Sequence, residues 1–181
     1  MLLKLPVSRL PLACCVATAL CALSAPTLAD DSRSRDRIEA RLKGFAEVPS
    51  VSSAASGRFK ARIDSASMSL SYELSFSGLE GDVRQAHIHF GQHGVNGGIM
   101  VWLCQSAVNA SPVASTPQCP QSGTVSGTIS AADVIGPAGQ GIAATEFAEV
   151  LKAISAGVAY ANVHSSKFPG GEIRGQLRDD D

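Results

Sequence analysis

The alternation in MSLSYELSFSGL, residues 68–79, sets the tightest limit on what this chain can fold into. Leu70, Tyr72, Leu74 and Phe76 take every second position, with Ser69, Ser71, Glu73, Ser75 and Ser77 between them. A period of two sends the two sets to opposite faces of an extended strand, so the segment reads as a half-buried β-strand. Further strands are expected over residues 38–45, 57–64, 83–90, 97–104, 122–131, 158–165 and 172–178, separated by turns rich in Gly, Ser and Pro. One segment has helical spacing instead. In AATEFAEVLKAISAG, residues 143–157, Phe147, Val150, Leu151 and Ile154 share a face, and Gly157 stands where a C-terminal cap belongs. That helix reads as a plug for the core. About eight strands, one short helix and no βαβ alternation describe an all-β chain: an antiparallel Greek-key β-sandwich or barrel.

The N-terminus reads as an export signal. Lys4 and Arg9 precede an uncharged apolar run over residues 10–23, and Ala29 offers a small residue for cleavage. The run is too short to cross a bilayer, so no membrane span is expected in the mature chain. The expected organisation is a signal peptide over 1–29, a charged tether over 30–37, one β domain over 38–178 and an acidic tail over 179–181. Export places the chain in the periplasm or outside the cell. Cys14, Cys15 and Cys21 leave with the signal, and the remaining pair, Cys104 and Cys119, is expected to form one disulfide across a polar, Pro-containing loop. Removing Lys4 and Arg9 with the signal leaves 13 Lys and Arg against 16 Asp and Glu. With no basic run in the sequence, nucleic acid is not an expected partner.

The segment QAHIHFGQHGVNGG, residues 85–98, holds three of the four histidines. Alternation sends Ala86, Ile88 and Phe90 to the core and leaves His87 and His89 together on the opposite, outward face, about 7 Å apart along the strand. The same rule puts Tyr160, Asn162 and His164 outside on one later strand, and Glu172, Arg174 and Gln176 outside on the last. If these strands are neighbours, His87, His89, His164, Glu172 and Arg174 gather on one face. Imidazole is the commonest metal ligand near neutral pH, and an all-nitrogen set suits copper or zinc. Asn162 or Glu172 would orient the rings. His93, in the glycine-flanked turn, is either a further ligand or a solvated turn residue. The plainer reading is of strand histidines that hydrogen-bond only to Glu172 or water. Gly97-Gly98 and Gly170-Gly171 lie between strands and open no helix, so they do not form a phosphate cradle. Residues 47–49 read as a strand exit without chemistry.

Three stretches carry a family resemblance: GFAEVPSV at 44–51, AHIHFGQHGVNGGIMVWL at 86–103 and AYANVHSSKFPGGEIRGQL at 159–177. Together they resemble the chordin-type domain, CHRD. The resemblance implies a β-sandwich in an extracytoplasmic setting and, through chordin, a module that binds extracellular protein or matrix. The H-x-H pair, the later strand histidine and a C-terminal arginine also resemble, more distantly, copper–zinc superoxide dismutase. That likeness implies His87, His89 and His164 as copper ligands and Arg174 as an anion-guiding neighbour. Apart from His93 no histidine remains to bridge two metals, and no His-rich zinc loop is present, so the likeness does not establish dismutase activity, which stays the least favoured alternative. The expectation is an exported, non-enzymatic CHRD-type protein that binds copper, or less favourably zinc, through outward-facing strand histidines. The alternative is an extracellular protein- or matrix-binding module without metal.

Overall fold

The computed structural model describes residues 36–179. The expected signal peptide, most of the tether and the last two residues of the tail lie outside them. In chain order the elements are β1 (Arg37–Lys43), β2 (Ser56–Asp64), β3 (Ser69–Ser77), β4 (Val83–Phe90), β5 (Gly98–Cys104), β6 (Gly123–Ile129), α1 (Phe147–Ser155), β7 (Ala159–Ser165), β8 (Ile173–Gln176) and β9 (Arg178–Asp179). The strands form one sheet in the order β5-β4-β7-β8-β1-β2-β3-β6, with β9 paired to β1. The named strand pairs are all antiparallel. The two ends of the order, β5 and β6, come back near one another, so the sheet nearly closes as a barrel. The Tyr72 hydroxyl spans the interior and donates to the Leu103 carbonyl at 2.5 Å.

The all-β expectation therefore holds, with nine strands among the described residues rather than eight. The last expected strand divides at Leu177, which is fully buried and donates its N–H to Ala159 of β7, while Arg178 and Asp179 pair with β1 as β9. The helix is shorter than its apolar spacing suggests: Thr145 takes a left-handed φ of 70°, which holds residues 143–146 out of the helix. Phe147, Val150 and Ile154 still face inward, joining Phe59, Leu74, Ile88 and Leu103 in the core. Burying each such side chain contributes about 1.5–3 kcal/mol. The expected disulfide is present: Cys104 and Cys119, with Cα atoms 4.9 Å apart, fasten the loop after β5.

The sheet has two unlike halves. In β1, β2, β3 and β6 buried and exposed residues alternate, with polar side chains outward. In β7 every residue is buried, and so are residues 86–89 of β4 and 173–175 of β8. A strand becomes buried on both faces only when something covers the second one. Here the cover is made by loops at residues 44–55, 91–97 and 166–172, and the histidines lie beneath it.

Candidate metal centre

Strand pairing brings the three histidines together. β7 pairs with β4, so that His87 stands opposite Asn162 and His89 opposite Tyr160, one step from His164 opposite Gln85. Register shifts between Ala86 and His87 and between Ile88 and His89 against β5 twist the strand locally. The ring centroids of His87 and His89 are 5.3 Å apart and those of His87 and His164 are 5.0 Å apart. One nitrogen from each of the three rings falls within 4.8 Å of the others.

The outward orientation expected for these side chains is corrected by their burial. They point away from the main core as alternation requires, yet His87 is 0 %, His89 8 % and His164 6 % exposed. Alternation predicts which side of a strand a residue takes, not what lies over that side. The covering loops also set the proton positions. Gly97 O accepts from His89 Nδ1 at 2.9 Å, and Pro169 O accepts from His164 Nδ1 at 2.9 Å. A carbonyl can only accept, so both rings carry their proton on Nδ1 and keep a lone pair on Nε2. His164 Nε2 lies 3.2 Å from His87 Nδ1, which must then be the donor. His87 Nε2 and His89 Nε2 are buried without a hydrogen-bond partner.

Electrostatics keeps the cluster neutral. Burial, then the nearby His164 and His89, pushes His87 down to about 2. His89 is pushed down to about 4, mainly by burial, and burial also lowers His164. The Nε2 lone pairs of His87 and His89 are therefore open to a Lewis acid throughout the neutral range, while that of His164 accepts the His87 Nδ1–H and would have to give it up on binding. A metal–nitrogen bond of about 2.0–2.1 Å allows two ligands to be at most about 4.2 Å apart. The 4.8 Å spread thus has to close by several tenths of an ångström on binding. Three neutral imidazoles with two orphaned nitrogens fit a borderline cation such as copper(II) or zinc.

The other predicted residues take different places. His93 is exposed in the turn after β4 and does not join the cluster. Glu172 is fully buried, but its Oε1 accepts from Ser53 Oγ at 2.7 Å and from the Glu80 amide at 2.9 Å, not from an imidazole. Asn162 Nδ2 donates to Glu47 Oε1 at 2.6 Å. Arg174 is 2 % exposed and reaches the site through Tyr160. Its guanidinium lies 3.3 Å from the Tyr160 ring centroid, and His89 stacks on that ring at 4.7 Å with 3° between planes. The Arg174 nitrogens donate to Gln92 O, Val95 O and Asn96 Oδ1, which pins residues 92–96 over the histidines. With three hydrogen bonds to the loop, Arg174 acts as a clamp on the cover.

Five participants escaped the sequence reading. The carbonyls of Gly97 and Pro169 carry no residue-type signal at all. Trp102 packs edge-on against His87, with centroids 4.3 Å apart. Glu47, expected to be a strand exit without chemistry, is buried under the cover, where burial outweighs the attraction of Arg174 and raises its carboxyl to about 7. Gly171 closes the same pocket at φ +128°: a Cβ there would lie 2.5 Å from Asn162 Nδ2 and 2.8 Å from a Glu47 oxygen.

A family model described as CHRD domain matches residues 38–177. No curated protein matches the chain.

Proposed function

The chain belongs to the CHRD domain family, and from that premise we propose an exported protein that binds a metal ion, copper before zinc, through His87, His89 and His164. CHRD domains are typically found in extracellular or exported proteins. No helix among the described residues is long and apolar enough to cross a membrane.

One observation carries the reading: three buried, neutral imidazoles with ligand atoms within 4.8 Å, two of them orphaned at Nε2. A buried polar atom without a partner costs about 1–3 kcal/mol, and a coordinated cation would offset that cost at both nitrogens. The order copper before zinc follows from the higher intrinsic affinity of nitrogen ligands for copper(II). When bound, the ion supplies a Lewis acid and, for copper, a one-electron couple. The protein's own residues do the rest. Gly97 and Pro169 fix the tautomers, Tyr160 and Arg174 hold the His89 ring and its covering loop, and the loops exclude water. This arrangement favours retention of an ion over turnover at it.

Trp102 makes the test direct, because it is the only Trp in the chain and touches His87. Copper(II) added to metal-free protein should quench its fluorescence at one equivalent and give an EPR spectrum with nitrogen hyperfine structure. His164→Ala, shown by circular dichroism to be folded, should weaken copper binding at least about 100-fold, equivalent to about 3 kcal/mol. Copper binding of equal strength in folded His164→Ala and His89→Ala would sink the assignment.

A further inference from the structure

We propose that the outer face of β1, β2 and β9 is a binding surface for an acidic polysaccharide. The surface is invisible as a run in the sequence, because apolar core residues separate its bases. Pairing assembles it. Arg37 stands opposite Arg62, and Arg41 opposite Arg58, in the β1–β2 register. Lys60 lies between the two arginines of β2, Lys43 continues β1, and Arg178 of β9 stands opposite Glu39. All seven basic side chains are exposed.

Seven bases meet five carboxylates on or beside this face among the described residues, Asp36, Glu39, Asp64, Glu73 and Asp179, in a chain whose net charge is −1. Among the described residues, only Arg58 of the seven has a carboxylate within ion-pair distance, Glu39 at 2.5 Å. Like charges directly opposite on a sheet destabilise it. The two Arg–Arg pairs are therefore a cost to the isolated domain that a multivalent anion would relieve.

The rest of the face selects the class of anion. Exposed hydroxyls flank the basic stripe: Ser71 and Ser77 on β3, Thr124, Ser126 and Thr128 on β6. A depression of about 450 Å³ lies between Arg37, Lys60, Arg62, Ser71 and Glu73. Guanidinium forks match carboxylate or sulfate esters, and hydroxyls exchange hydrogen bonds with sugar hydroxyls. None of the large exposed hydrophobic residues, Phe45, Met68, Val95 and Val108, belongs to β1, β2, β3 or β6. A surface that inserts into anionic lipid needs apolar side chains, and one that holds single-stranded nucleic acid needs exposed aromatic platforms. This face has neither.

The test titrates the full chain with alginate, a polyuronate, using neutral dextran, duplex DNA and phosphatidylglycerol vesicles as the other arms. Alginate should bind with release of counterions, so that its affinity falls steeply as NaCl is raised. Dextran should not bind. The double variant Arg41→Gln/Arg62→Gln should lose affinity for alginate about tenfold or more while melting no lower than wild type. His164→Ala should bind alginate as wild type does, which separates this surface from the metal site. Equal alginate affinity in the double variant, binding of dextran, or tighter binding of DNA or vesicles than of alginate would each overturn the proposal.

Discussion

Replacing Glu47 with glutamine should make the protein more stable than wild type at pH 8 and leave the two equally stable near pH 4. Burial raises the Glu47 carboxyl from its ordinary 4.5 to about 7. Between those values the folded state holds a proton that the unfolded chain has released, so stability falls as pH rises through this window and levels off above it. At 1.36 kcal/mol per pH unit, the loss comes to about 3 kcal/mol. The substituted amide stays neutral at every pH and keeps an oxygen to accept the Asn162 N–H that the carboxylate now accepts at 2.6 Å. The buried histidines act in the opposite sense. Their folded values lie below the ordinary 6.5, at about 2 for His87 and about 4 for His89, so the unfolded chain takes up protons first and stability falls as pH drops below 6.5. That contribution is common to both proteins and cancels in their difference. Urea unfolding followed by Trp102 fluorescence at half-unit steps from pH 4 to 8 gives the difference curve. A gain for Glu47→Gln that grows between pH 4.5 and 7 and then stays flat is expected. A difference independent of pH, or one that shrinks as pH rises, would refute the burial argument.

Three further outcomes follow from the same geometry. Gly171→Ala should destabilise the fold by about 2–3 kcal/mol in thermal melts, because it combines a left-handed φ with a clash against Asn162 and Glu47. Cys104→Ser/Cys119→Ser frees a loop closed across 15 residues and should cost about 3 kcal/mol in urea unfolding, with reductant producing the same loss in wild type only. Arg174→Lys keeps the charge but loses the planar stack on Tyr160 and the fork to the residue 92–96 carbonyls; it should cost about 1–3 kcal/mol and speed copper release in stopped-flow chelation.

Much of the fold was legible because alternation is a strong signal wherever one strand face is wet. The segment 68–79 and the strands around it declare themselves by a two-residue period, and the histidines were correctly grouped by that rule. Its failure lies in the other half of the sheet. AYANVHS looks half polar, yet all seven residues of β7 are buried. The polar ones are satisfied by partners far away in sequence, such as Glu47, 115 residues from Asn162. Local pattern cannot register a loop that folds over a strand, nor a backbone carbonyl that fixes a tautomer. The basic face was missed for the converse reason: spaced by core residues on two strands, its arginines never form a run.

The order of strands has a consequence for when this chain can fold. The last long strands made, β7 and β8, occupy the middle of the sheet, between β4 and β1. Until residues 159–176 exist, β4 and β1 each present an open edge, and the histidine that completes the cluster has not been synthesised. Most sheet contacts then close over long stretches of chain, a topology that folds slowly. A growing polypeptide of this kind cannot close its sheet, or complete the histidine cluster, until its final strands arrive.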